Sequence, residues 1–134
     1  GQIQRKGFGK TYVTLDGEGK RVIGFVTISA AQVSSVTLPD DLKLPRYPVP
    51  AVRIGRLAVD SRFQGRGIGQ DLLAVGLRIA LEFSEKVGVY AVLVDAKDEA
   101  ASTFYARLGF LPTKDNPLSL FLPVATLMQT RTET

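Results

Sequence analysis

Three glycines at alternate positions, Gly65, Gly67 and Gly69, stand between a β-like segment and a long segment with an apolar stripe. Lacking side chains, such residues let successive backbone N–H groups converge on one anion. The start of a following helix adds unsatisfied donors and about half a positive charge. Phosphate or pyrophosphate capture is the chemistry this favours, with Arg62 and Arg66 as cations at the rim. A tight turn that needs glycine only for its backbone angles is the alternative, and the spacing alone leaves both open. No Gly-Lys-Ser/Thr follows, which excludes a P-loop. Leu72 stands where a dinucleotide-binding fingerprint needs a third small residue.

The chain has no Cys and no His, so disulfides, thiolate metal sites, thiol nucleophiles and histidine triads are excluded, and no metal is expected. Proton chemistry falls to carboxylates, Lys, Tyr, backbone and water. Tyr105 is a phenol of ordinary pKa ~10 that can serve a thiolate leaving group. It can equally pack its ring between helix and sheet. Asp60, Asp95 and Asp98 are possible bases, although each suits a strand end or a helix cap, and none is assigned. Between Lys43 and Arg78 stand seven cations against two acids, within a net charge of +4. That stretch suits an anionic partner or forms a solvated basic face. By period-two parity, Arg53 and Arg56 fall on opposite faces of a regular strand.

The elements that must position these groups can be read from periodicity. At 134 residues, 45% apolar and 22% charged, the chain is expected to be one domain over residues 1–134. No apolar run reaches the roughly 20 residues of a membrane span, and no secretory leader is visible, so a cytoplasmic protein is expected. Residues 11–15 and 22–28 read as a hairpin around Asp16-Gly17-Glu18-Gly19. Residues 29–50 read as loop, with a possible helix start at Pro39 and with 44–50 too proline-rich for an interior strand. A third strand over 52–59 leads into the glycine turn. A helix over 67–86 follows, with Ile68, Leu72, Val75, Ile79 and Phe83 on its stripe and Gly88 as its stop. The apolar run 89–95 is a strand buried on both faces, which completes a βαβ unit. A second helix runs from Asp98 to Leu108 and ends at Gly109, and residues 110–111 and 118–122 make a closing antiparallel pair. The class is α/β with a mixed sheet.

Gln64-Gly65-Arg66-Gly67-Ile68-Gly69, preceded by Leu57-Ala58-Val59-Asp60, resembles the cofactor signature of the GNAT superfamily of N-acetyltransferases. The run from Asp98 through Phe104-Tyr105 to Gly109-Phe110 resembles the second cofactor segment of that superfamily, with Asp98 where many members carry Asn. The resemblance implies a mixed, mostly antiparallel sheet whose two parallel strands splay apart to admit a pantetheine arm. It implies acetyl-CoA as acetyl donor, backbone groups of Leu57, Ala58 and Val59 toward pantetheine and thioester, and a pyrophosphate cradle from Gln64, Gly65, Arg66, Gly67, Ile68, Gly69 and Gln70. It further implies cofactor contacts from Asp98, Ala101 and Phe104, and Tyr105 as the catalytic acid. Only about ten residues precede the first hairpin strand, so the superfamily's N-terminal strand and helix are expected to be missing.

Direct attack by an acceptor amine in a ternary complex is the mechanism compatible with a chain that has no thiol. An α-amine of pKa ~8 needs no strong base. Residues 7–13, 44–59 and 94–101 resemble the acetyltransferase toxins of type II toxin–antitoxin pairs. That resemblance implies aminoacyl-tRNA as acceptor, a homodimer and a ribbon-helix-helix antitoxin. Acetylation of a protein or small-molecule amine, and a silent coenzyme A-binding module, stay open beside it.

Overall fold

The computed structural model describes residues 2–6, 9–34, 38 and 48–133, with backbone alone for 2–6, 9 and 129–133. Among the described residues, seven strands form one sheet in the order β1-β2-β3-β4-β5-β7-β6. They are β1 (Gln2–Lys6), β2 (Gly9–Leu15), β3 (Val22–Val33), β4 (Val49–Val59), β5 (Ala91–Asp95), β6 (Leu111–Pro112) and β7 (Ser119–Pro123). Among the described residues, three α-helices accompany them: α1 (Ile68–Lys86), α2 (Glu99–Arg107) and α3 (Val124–Glu133). Among these described strands only β4 and β5 run parallel, joined through α1; every other neighbouring pair is antiparallel. The α/β class and the central βαβ unit are as the periodicity predicts.

The main core lies on the α1 face of the sheet, where Val26, Ile28, Val52, Ile54, Val92 and Val94 meet Leu72, Leu73 and Ala80 of α1 and Tyr105 of α2. Burial of this kind contributes about 25 cal/mol per Å² of apolar surface, which makes it the main source of stability. α1 approaches β4 closely at Gly76, where a Cβ would stand 2.9 Å from Ile54 Cδ1. Its buried face is Leu72, Leu73, Gly76 and Ala80. Phe83, expected on the stripe, is 43% exposed at the edge of that face. On the opposite face, Leu38 covers a smaller cluster of Val33, Val49, Ala51, Leu93 and Phe121.

Several expectations need correction. Gln2–Lys6 forms strand β1, antiparallel to β2, where no N-terminal strand was expected. β3 continues to Val33 and β4 begins at Val49, through residues expected to be loop. Pairing overrides local composition here, since Ala30 to Val33 find partners from Val52 back to Val49. Pro50 is tolerated because its carbonyl points toward β5 and accepts Tyr90 N–H at 2.9 Å. The β4–β5 ladder starts only at Ala51, so the missing proline N–H removes no rung. α1 stops at Lys86, directly before the C-cap Val87 and the expected stop at Gly88, with Val87 extended and Gly88 outside the left-handed region; Gly109, at φ 101°, terminates α2 in that region. The possible helix start at Pro39 lies outside the described residues. α3 lies beyond the last element expected from periodicity, which ends at residue 122.

Candidate functional site

The site is built on an irregularity in β4. Thr27 pairs with Arg56 but Ile28 pairs with Ile54, so Gly55 is an extra residue, a β-bulge. Before it, Val52 and Ile54 face α1; beyond it, Leu57 and Val59 do, packed against the same core. Parity therefore inverts at Gly55. Arg53 and Arg56 end on the same face, opposite α1, where a regular strand would separate them. There Arg53 Nη1 donates to Asp95 Oδ2, and Ser119 Oγ donates to Asp95 Oδ1 at 3.4 Å.

The bulge also marks where the parallel strands part. β4 and β5 pair from Ala51 with Ala91 to Ile54 with Val94 and no further. Past that rung β4 keeps pairing with β3, and the Asp60 N–H bond to the Ile23 carbonyl (2.7 Å) sets the phase of that ladder. In antiparallel pairing alternate residues turn their N–H and C=O to opposite sides. Leu57 and Val59 thus aim theirs away from β3, into the gap beside β5.

From Val59 the chain enters the turn. Asp60 caps a short 3-10 turn over Ser61–Phe63 by accepting Arg62 N–H at 2.9 Å, and it also holds the Arg62 guanidinium (Nε to Oδ1, 3.2 Å). That contact keeps the Asp60 carboxyl below the ordinary aspartate range. Arg62, expected at the rim, is therefore engaged within the turn, and Arg66 lies over the Phe63 ring at 5.0 Å. Gln64 Nε2 donates to the Val59 carbonyl at 3.1 Å.

Gly65 and Gly67 adopt φ of 81° and 80°, which favours glycine, and a Cβ on either would point into open space. Gly67 is the N-cap of α1 and no side chain caps that end. The first intrahelical bond runs from Asp71 N–H to the Gly67 carbonyl at 3.0 Å. The N–H groups of Ile68, Gly69 and Gln70 precede it and have no intrahelical acceptor. Gly69 differs: a Cβ there would meet Leu57 and Val59 at an ordinary 3.8 Å. Its smallness keeps space open instead of supplying an unusual φ.

These parts enclose two cavities. One, of about 470 Å³, is lined by Leu57, Ala58, Val59, Gln64, Gly65, Gly67, Ile68, Gly69 and Gln70, with Phe63, Lys97 and Phe104. The other, of about 250 Å³, is lined by Phe25, Gly55, Arg56, Asp95, Ala101 and Tyr105 among others. Leu57, Ala58 and Lys97 border both, so the cavities adjoin across the gap between β4 and β5.

The structure brings most of the expected residues to this cleft. Asp98 and Arg66 line neither cavity; Asp98 accepts Ala101 N–H at 2.8 Å as the N-cap of α2. Ala101 lies on the second cavity, and the neighbours Phe104 and Tyr105 divide between the two. Tyr105 is 7% exposed, edge-on to Phe104 and Phe110. Burial pushes its phenol above the ordinary tyrosine value. Phe25, Phe63 and Lys97 were not foreseen. Lys97 was legible as the cation beside Asp98 in the second motif, whereas Phe25 reaches the site only through the β3–β4 register. An open end of a helix, a backbone edge facing a gap and a passage between two cavities can hold a phosphorylated thioester on one side and present it to a nucleophile on the other.

Residues 7–112 match the family model for the acetyltransferase (GNAT) domain. The chain belongs to the GNAT family. It is accordingly an acetyl-CoA-dependent N-acetyltransferase. Among GNAT relatives, it is 31% identical over 128 residues to a "Probable toxin TacT" of Sinorhizobium fredii, covering 88% of this chain and 71% of that protein. It is 34% identical over 104 residues to a "tRNA-acetylating toxin" of Mycobacterium tuberculosis, covering 76% of this chain and 62% of that protein. The solved GNAT structure "AtaT complexed with acetyl-methionyl-tRNAfMet" superposes with a TM-score of 0.83 at 30% identity, over 92% of this chain and 75% of the other. Among the described residues, no helix is long and apolar enough to cross a membrane.

Proposed function

We propose that this GNAT chain acetylates the α-amine of aminoacyl-tRNA and so acts as a translation-blocking toxin. The observation that carries the reading is the junction of two cavities at Leu57 and Ala58, with glycine amides on one side and Arg56, Lys97 and Tyr105 around the other. The kinship with tRNA-acetylating relatives selects the acceptor. Arg56 and Lys97 supply the cations that the phosphates of a tRNA end require and that a small amine does not.

When bound, acetyl-CoA supplies an activated thioester; the chain supplies the rest. The amides from Gly65 to Gln70 and the positive end of α1 hold the pyrophosphate, with Arg66 free to leave Phe63 for a phosphate at the rim. Gln64 braces the turn. The backbone groups of Leu57 and Val59 take the pantetheine arm as an added strand edge, along Ala58 and Phe104. Val59 N–H, aimed away from β3, would stabilise the charge that gathers on the carbonyl oxygen. Asp98 contributes by capping the helix that carries Ala101, Phe104 and Tyr105. The buried Tyr105 phenol stays protonated at physiological pH and would give its proton to the departing thiolate at the junction, regaining one through water from the amine nitrogen that is acetylated. The fit rests on an uncapped helix end and on two left-handed glycines whose missing Cβ atoms leave the cleft open.

Incubation with acetyl-CoA and charged tRNA is expected to yield acetylated aminoacyl-tRNA and to arrest a translation extract. Unmodified charged tRNA beside rapid acetylation of a polyamine or peptide would replace this acceptor with a small amine. The resemblance to the toxins also supports a homodimer and a ribbon-helix-helix antitoxin, acting in the cytoplasm. Co-expression with the neighbouring upstream reading frame, followed by co-purification and rescue of growth, checks that partner.

A further inference from the structure

Thr27 stands on β3 opposite Arg56, at the step where the register with β4 slips. Its Oγ1 accepts the Arg56 N–H at 2.8 Å. A Cβ built on Gly55 would come to 3.2 Å from the same oxygen. One hydroxyl is therefore lodged against both residues of the bulge. A bulge disrupts the ladder locally, and a backbone N–H at such a break needs a partner. Threonine supplies it while keeping the β-branched shape a strand favours; valine would keep the shape and lose the acceptor.

The bulge decides more than local geometry. A slip of one residue carries every following side chain to the other face. Without it, Arg56 and Ala58 would take the α1 face, and Leu57 and Val59 would no longer direct their backbone groups into the gap beside β5. Arg56 would also leave the second cavity. Thr27 lines neither cavity, so it reaches the chemistry only through β4.

We propose that Thr27 is a positioning residue for acetyl transfer, its hydroxyl holding the Gly55 bulge and so setting which backbone groups of β4 face the cleft. The proposal rests on the reading of that cleft as the acetyl-CoA site. It is tested by comparing the wild type with Thr27→Val and Thr27→Ser through Arg56 amide hydrogen exchange, acetyl-CoA affinity by calorimetry, and kcat and KM per folded molecule. Thr27→Val is expected to speed exchange at Arg56, weaken acetyl-CoA binding and lower kcat by roughly ten- to a hundredfold, as misplaced catalytic geometry does. Thr27→Ser is expected to restore all three. Should Thr27→Val fold too poorly to measure, Gly55→Ala presses a methyl group toward the same oxygen and is expected to speed the same exchange. Unchanged kcat per folded molecule in the valine variant, or a serine variant as impaired as valine, overturns the proposal. If the wild type leaves charged tRNA unmodified, the acceptor reading fails by itself. Arg56 exchange and acetyl-CoA affinity then still decide the role of Thr27, equal values in all three proteins overturning it.

Discussion

The Gln64 side-chain amide donates to the main-chain carbonyl of Val59 across 3.1 Å, fastening the start of the glycine turn to the last residue of β4. One short bond thus links the two backbone segments that the proposed function assigns to the same molecule, the cradle and the strand edge. Gln64→Leu is expected to weaken acetyl-CoA binding about fivefold, the equivalent of about 1 kcal/mol for one hydrogen bond. Because the bond is exposed, thermal stability should hardly move. Calorimetric titration beside a melting curve checks both halves.

The three glycines of the turn should separate by cause. Gly65→Ala and Gly67→Ala each force a side chain into φ near 80°, at a cost of about 1–2 kcal/mol in stability. Gly69→Ala meets only ordinary contacts with Leu57 and Val59, so it should fold normally while its methyl group occupies the cleft and weakens acetyl-CoA binding. Chemical denaturation and binding measured on the same three variants distinguish strain from obstruction.

Tyr105→Phe should lower kcat while leaving acetyl-CoA affinity nearly intact, since the ring and its packing against Phe104 and Phe110 remain. Unchanged turnover would remove the phenol from the mechanism.

The same phenol gives a pH prediction. Its folded pKa is raised by burial above the unfolded value of about 10. The associated stabilisation is fully present below pH ~10 and is lost as pH rises from there through the folded pKa. Ultraviolet titration of the four tyrosines should show a late step that is absent from Tyr105→Phe.

Gly76→Ala tests the seating of α1 on β4. Its Cβ would stand 2.9 Å from Ile54 Cδ1, and overpacking of this kind costs about 1–3 kcal/mol. Ile54→Val removes the obstructing methyl, so the double variant should be more stable than the sum of the two single changes requires. A double-mutant cycle by denaturation reads that coupling.

Much of this molecule was legible in its sequence because the signals are local. The glycine turn, helices α1 and α2, the buried strand of residues 91–95 and the Phe104-Tyr105 segment all declare themselves by spacing, and the two motifs together pointed to the GNAT family. Other features depend on partners distant in sequence. β3 reaches Val33 because β4 is there to pair with it, and Pro50 sits in a strand because its only free group, the carbonyl, is the one used. β7 enters the sheet between β5 and β6, an order that no local pattern encodes.

At the site the division is sharpest. By itself the sequence determined that Gly65, Gly67 and Gly69 would stand between a strand and the helix they open, and that no thiol or imidazole side chain of this chain would take part. Tertiary structure alone decided that Arg62 would be bound by Asp60, and that Arg53 and Arg56 would share a face. It also decided that Leu57 and Val59 would turn their backbones into the gap. The reason is the bulge at Gly55: side-chain alternation is a property of one strand, but its phase is set by the register with the next, and that register exists only once β3 and β4 have met.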